Sequence, residues 1–268
     1  MTEKLNTLGF DLNRARDIGR KYYGKQEEQP IQEPTQEPQN ENQGEQTPQV
    51  ENPREQDNYI FIPSINLWVS KERYYLGSNW HDCTSKLHKQ NERMPTILEF
   101  REFLNYTKIN AQDIYKEITE VRNPWRSEWL DANFKVEGKN LFMYYHEFDS
   151  MGKIIQKKVK LDNTTLMQDK TPGISLDSWL ADATKQGLPK EGINDGSLDY
   201  WFPRSDNNSV ARFFAGSDGA SLGCNWYPSS FNGNLGVRAV RRWVASTKLN
   251  KQKQNKNKKW QTQTSFQH

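Results

Sequence analysis

The residue types that do most protein chemistry are sparse in this chain. Four histidines are present, His81, His88, His146 and His268, and none stands four residues from another. His81 and His88 flank Cys83, but a tetrahedral zinc site needs four convergent ligands. No metal and no cofactor is expected. Cys83 and Cys224 are too few for a disulfide framework; they read either as small buried hydrophobes or as a pair that the fold could bring together. Asp195, Asp199 and Asp206 fall in a loop-rich stretch and read as turn residues rather than an acid/base pair. The glycines at 216, 219 and 223 do not make the Gly-x-Gly-x-x-Gly phosphate loop, and no strand-turn-helix pattern surrounds them. No catalytic residue is expected, and the chain reads as no enzyme.

Composition bounds what can position any site. The 268 residues carry 37 Lys+Arg against 34 Asp+Glu, a net charge of +3 that requires neither a nucleic acid nor a membrane partner. Hydrophobic residues make up 34% and mean hydropathy is −1.02, a thin supply of core, yet aromatics reach 12% with nine Trp. A wholly disordered chain lacks such aromatics, so part of the chain must pack while another part stays solvated. No apolar run is long enough to span a bilayer. The start, MTEKLNTLGFDLNRARDIG, has no apolar h-region, so no signal peptide is expected and the chain reads as cytoplasmic or virion-associated.

The division is abrupt. Residues 26–57 hold nine acidic residues, one Arg, recurrent Pro and only Ile31 and Val50 as apolar side chains. Such a segment cannot offset its ordering entropy and reads as a disordered acidic linker. Ahead of it, residues 1–25 place Leu5, Leu8, Leu12 and Ile18 at roughly helical spacing, the pattern of a short docking helix. At the other end, residues 248–268 carry six Lys and no acid, a basic disordered tail. The folded body is therefore expected over 58–247. Tyr59 to Val69 alternates around Pro63 as an edge strand broken once. Thr96 with Glu99 makes a capping box ahead of Ile97, Phe100, Phe103 and Leu104 on one helical face. A second helix is expected from about Ala111 to Val121, stopped by Asn123-Pro124. Lys139–Phe148 and Lys153–Leu161 flank a turn at Asp149–Gly152. Ser175 caps a third helix that runs to Gly187. Later residues look irregular except for a last strand near Leu235–Val244. This order makes an α+β domain with long irregular loops.

Residues Ser209–Trp243 interleave two classes. Val210, Phe213, Leu222, Trp226, Leu235 and Val237 can anchor strands in a core. Between them Ser217, Asp218, Gly219, Ser221, Gly223, Tyr227, Ser230 and Phe231 obey no period. Small polar residues with Tyr make an adaptable binding alphabet, and loops held on rigid strands are where binding residues collect.

The stretch resembles the C-terminal segment of variable proteins of diversity-generating retroelements. The resemblance rests on Arg212–Gly216, the Asn225-Trp226 pair and the Asn234-Leu235-Gly236-Val237-Arg238 close, with Trp125–Leu130 as a looser match. It implies a C-type lectin fold of the formylglycine-generating-enzyme-like branch, a variable region at about 211–240, and a viral or archaeal member of the family. Adenine-directed mutagenesis of AAC or AAT codons cannot reach Trp, Lys, Glu, Gln or Met. The eight interleaved positions and Phe214, nine in all, lie in the reachable set, and no Lys, Glu, Gln or Met occurs from Ser209 to Val240. The nine are thus the expected ligand-binding, variable positions. Gly216, Trp226, Asn234, Gly236 and Arg238 are the expected scaffold, with the glycines allowing close backbone approach, Asn234 bonding loop backbone and Arg238 paired internally. The implied function is non-catalytic recognition of a protein or other macromolecular surface ligand, for attachment or receptor binding. No nucleic acid and no membrane insertion is expected. A fixed virion or tail structural protein of the same fold is one alternative. A lectin-fold enzyme using the cysteine pair with copper is the other. The Glu-Pro-Asn and Trp-Asn-Asp motifs of calcium-dependent sugar binding are absent from the sequence.

Overall fold

Burial and hydrogen bonding in the computed structural model follow from a few local sequence signals. It describes residues 58–120, 122–204 and 208–242. The expected N-terminal helix, the acidic linker, the basic tail, Val121, Asp206 and residues 243–247 lie outside the described residues. Among those described, helices and strands make a mixed α+β arrangement that is mostly sheet.

The first expected strand is two. Strands β1 (Tyr59–Ile62) and β2 (Leu67–Ser70) pair antiparallel. The chain reverses after Pro63 with Asn66 at φ 54°, a left-handed turn position that Asn tolerates. Helix α1 (Trp80–His88) carried no strong sequence signal, yet it is capped by the Asn79 side chain, which accepts from the Asp82 N–H at 2.9 Å. It buries one stripe made of Trp80, Cys83 and Leu87. Helix α2 (Ile97–Asn110) has the capping box: Thr96 Oγ1 accepts from Glu99 N–H, and Glu99 accepts from Thr96 N–H at 2.9 Å. Glu99 also takes both terminal nitrogens of Arg93 at 2.6 Å. Ala111 ends α2 and begins α3 (Gln112–Thr119).

Strands β3 (Arg126–Glu137), β4 (Asn140–Phe148) and β5 (Ile154–Lys160) form a meander, with Asp149 accepting from the Met151 and Lys153 amides in the β4–β5 turn. After β6 (Lys170–Ile174), Ser175 caps α4, which spans only Leu176–Ala181. The helix stops well before Gly187. That glycine, at φ 85°, turns the chain where a Cβ would lie 2.4 Å from the Leu98 amide nitrogen.

The late region, expected to be loop-rich with strand anchors among Val210, Phe213, Leu222 and Trp226, is more regular sheet than that reading allowed. Strand β7 (Leu198–Trp201) is followed by β8 (Ser209–Gly216) and β9 (Gly219–Trp226), an antiparallel hairpin, then β10 (Leu235–Val237) and β11 (Val240–Arg242). Main-chain pairing with neighbours overrode the weak β propensity of its Gly and Ser. The larger sheet runs β5-β4-β3-β8-β9-β7-β6, with β10 parallel to the start of β3; β1, β2 and β11 form the smaller one. Helix α2 packs on the main core, where Phe100, Phe213 and Trp179 meet with ring centroids 5.2 and 6.2 Å apart. A second core gathers Trp80, Cys83, Trp129, Val210, Leu235 and Val237.

Candidate functional site

Strand register decides which side chains of β7, β8 and β9 look outward. Phe213, Leu222 and Tyr200 stand side by side and are fully buried in the main core. Their chain neighbours must then face the other way. Two outward rungs result: Phe214 opposite Ser221 opposite Asp199, and Arg212 opposite Gly223 opposite Trp201.

On the first rung Phe214 is half-buried. Its ring stands 5.6 Å from that of Trp125 and lies over Gly216, where a Cβ would meet Phe214 Cζ at 2.6 Å. Asp199 is half-buried, and burial together with the nearby Asp218 charge holds its carboxyl above the usual range. It lies within a strand, which corrects its reading as a turn residue. Asp218 accepts from Ser217 Oγ at 3.3 Å at the exposed tip of the β8–β9 hairpin, where Gly219 has φ 120°.

The second rung is a platform. A side chain at Gly223 would collide with Trp226, whose Nε1 would be 2.8 Å from the new Cβ. The indole is covered in turn by the Arg212 guanidinium, 3.1 Å from a ring centroid. Gly223 is buried, so its expected place among displayed positions is corrected: it presents nothing outward, because Trp226 occupies the space. Trp226 itself is half-buried against the second core rather than enclosed in it.

The segment after β9 is short of internal core and is tied down through its backbone. Pro228 O accepts from Trp80 N–H at 3.0 Å, and Asn234 O accepts from Ser127 N–H at 3.0 Å and from Arg73 Nη1 at 2.6 Å. Asn234 thus anchors the loop through its backbone carbonyl, and its N–H donates to Asn232 Oδ1 at 3.1 Å within the loop. At Gly236 a Cβ would lie 2.8 Å from Tyr74 O and from Leu76 Cδ2, room for hydrogen only. Held this way, the loop leaves Tyr227 45% and Phe231 66% exposed, and the Arg204 guanidinium stands 4.1 Å over the Tyr227 ring. Ser217 and Asp218 are exposed; Gly219, Ser221 and Ser230 are partly so.

Beneath this surface lies a charge cluster that the sequence did not announce. Arg238, fully buried, places Nε 2.8 Å from Glu128 and Nη2 3.1 Å from Glu117, and donates to Ser70 O and Lys71 O. Arg126 spans the same two carboxylates at 2.7 and 3.0 Å. Burial alone would raise the Glu128 carboxyl, but Arg126 and Arg238 outweigh it and hold it below its usual range. The cluster joins β3, α3 and the residue that follows β10, and Arg238 is fully buried and faces inward with no access to a ligand. Arg238 carried a signal in sequence through the Gly-Val-Arg close, and Arg126 and Glu128 lie in the looser Trp125–Leu130 match; Glu117 carried none, and no spacing linked these segments.

The two thiols do not converge on one site. Cys83 lies in the second core with its thiol pushed up to about 12 by burial, and Cys224 lies in the main core, where burial also raises it. Both are free. His146 is bound to buried Asp131 through Nδ1 at 3.1 Å and meets His88 edge-on at 4.6 Å. Among the described residues no group of three or more His, Cys, Asp or Glu is arranged to hold a metal ion, and no helix is long and apolar enough to cross a membrane. Comparison of the chain with protein-family models, curated proteins and solved structures finds no match.

Proposed function

We propose that this chain is a non-catalytic recognition protein, presenting a retroelement-diversified surface on a C-type lectin fold of the formylglycine-generating-enzyme-like branch. Its ligand is a protein or other macromolecular surface, bound for attachment or receptor recognition. The observation that carries this reading is a separation by register and burial. Eight of the nine nominated positions reach solvent from the β8–β9 hairpin and the following loop, while Arg238, Gly216 and Gly236 are enclosed. A diversified site needs that separation, because changing side chains must leave the backbone unchanged. Tyr227 and Phe231 are the anchors in this copy, since large exposed aromatics dominate contact energy. The copper-enzyme alternative draws no support from cysteines placed in different cores.

Two measurements test the reading. The neighbouring DNA should hold a near-repeat of the codons for Arg212–Arg238, differing at adenines and lying beside a reverse-transcriptase frame. A chain carrying Tyr227→Ser and Phe231→Ser should unfold within about 2–4 °C of the parent, as exposed positions do. Absence of the repeat, or a drop of ~10 °C in the double variant, would remove the reading.

A further inference from the structure

Register places one carboxylate of the large sheet where nothing pairs with it. Asp199 of β7 faces outward opposite Ser221 of β9, which in turn stands opposite Phe214 of β8. Neighbouring strands lie about 4.8 Å apart, so the backbones at Phe214 and Asp199 are roughly 9.6 Å apart with only a serine side chain between them. On the other flank β6 brings Gly173, whose Cβ would lie 1.9 Å from Leu198 O and 2.6 Å from Asp199 N, so no side chain fits there. Along β7 the next outward residue is Trp201, about 7 Å on and half-buried like Asp199. The result is a notch floored by Ser221, walled by Phe214 and Trp201, and closed on one side by the Asp199 carboxylate.

Partial burial of a charge is costly unless something neutralises it. Among the described residues no hydrogen bond or ion pair reaches the Asp199 carboxylate; burial and the Asp218 charge both push it above the usual range, and no cation pulls it back. The cations of the adjoining strands are engaged elsewhere. Lys170 of β6 reaches Asp195 at 3.4 Å, and the Arg212 guanidinium of β8 lies on Trp226. Asp199 therefore adds nothing to the stability of the free chain and is completed by a positive group arriving from outside. A divalent ion would lack ligands, since among the described residues no group of three His, Cys, Asp or Glu is arranged to hold one. A guanidinium fits: it is flat and weakly hydrated, lies against aromatic faces, and gives a carboxylate two parallel hydrogen bonds.

We propose that this notch takes an arginine side chain of a protein ligand, the guanidinium paired with Asp199 and laid against Trp201 and Phe214. The inference rests on the reading of the β7–β9 face as the one that meets the ligand, and it narrows that ligand to a protein with an exposed arginine. Asp218, exposed at the hairpin tip, adds a second negative charge that steers a basic surface inward. Asp199 and Trp201 lie outside 211–240, the stretch expected to vary, whereas Phe214, Asp218 and Ser221 lie inside it. The arginine contact is thus common to every copy of the chain, and the variable positions around it set which basic surface binds.

The test is selection of a phage-displayed random-peptide library on the immobilised full chain, followed by fluorescence anisotropy of the enriched peptides. These should carry an arginine. Its replacement by citrulline, which keeps the shape and removes the charge, should weaken binding by about tenfold or more. Asp199→Asn should weaken the arginine peptide by a similar factor and leave the citrulline peptide unchanged. Thermal unfolding separates recognition from a structural role: Asp199→Asn should unfold at the parent's temperature or above it, because it removes an unanswered charge, whereas loss of a structural carboxylate would lower it. Should the variant not fold, the citrulline comparison on the parent decides alone. The proposal is overturned if no arginine peptide is enriched, if citrulline binds as tightly as arginine, or if folded Asp199→Asn holds the arginine peptide as the parent does. Peptides without arginine that lose affinity for the Tyr227→Ser, Phe231→Ser chain would overturn this inference and leave the recognition reading standing. Absence of the codon repeat in the neighbouring DNA bears on that reading alone.

Discussion

Phe213 and Phe214 are chain neighbours of identical chemistry on opposite sides of β8, and truncating each in turn tests the register on which the candidate surface depends. Phe213 is fully buried, with Phe100 at 5.2 Å and Trp179 stacked at 6.2 Å. Replacement by Ala removes a whole ring from a packed site, leaving a cavity bounded by α2, α4 and β8, which costs about 3–5 kcal/mol. For a folded body of this size each kcal/mol corresponds to about 2–4 °C, so Phe213→Ala should lower the Tm by ~10 °C. Phe214 is half-buried, and its contacts are Trp125 at 5.6 Å and the Arg212 guanidinium at 5.1 Å. Losing one partly solvated aromatic pair costs about 0.5–1.5 kcal/mol, a shift of ~2–5 °C. Thermal unfolding of both variants, followed by circular dichroism under identical conditions, gives the comparison directly. Equal losses would mean that Phe214 is as enclosed as its neighbour, and the outward rung would not exist.

Three further outcomes follow from buried groups. Arg238→Ala should cost about 3–5 kcal/mol in urea unfolding, since it leaves buried Glu128 with Arg126 as its one remaining ion-pair partner; because Arg126 and Arg238 hold that carboxyl low in the folded parent, the parent's margin should shrink as pH falls below about 4. Recovery of much of that loss in Arg238→Met, Glu128→Leu would show the cluster to be a positioning device rather than a net source of stability. His88 packs against His146, with Asp131 and Arg93 nearby, and burial first and His146 second push its imidazole below the usual value. The unfolded chain therefore takes up that proton earlier, so stability should fall as pH drops through about 6.5; His88→Phe should flatten the Tm profile in that window, and parallel profiles would refute the assignment. Cys83 and Cys224, both buried and free, should react with a thiol reagent only slowly in the native protein and titrate as two thiols in denaturant.

Local signals in the sequence carried as far as their physics is local. The Thr96–Glu99 capping box, the Asp149–Gly152 turn and the Ser175 cap are each satisfied within a few residues, so spacing alone reveals them. Alternation gave β1 and β2 but not their reversal at Pro63. Helix α1 went unread because its stripe of Trp80, Cys83 and Leu87 is thin, and its buried face is completed by Trp129, Leu235 and Val237 from distant strands. The anchors of β8 and β9 were legible but not their extent, because the Gly and Ser between them have little β propensity of their own; their order comes from pairing with β3 and β7 on either side.

The same line divides the candidate surface. The sequence by itself determined that Ser209–Val240 mixes core anchors with positions obeying no period, and that Gly236 and Arg238 close the stretch. Only the tertiary structure decided that Gly223 lies beneath Trp226, that Asn234 acts through its carbonyl, and that Arg238 is bound by Glu128 and Glu117. Burial and ion pairing are properties of space between segments: Glu117 and Arg238 stand 121 residues apart in the chain and 3.1 Å apart in the fold.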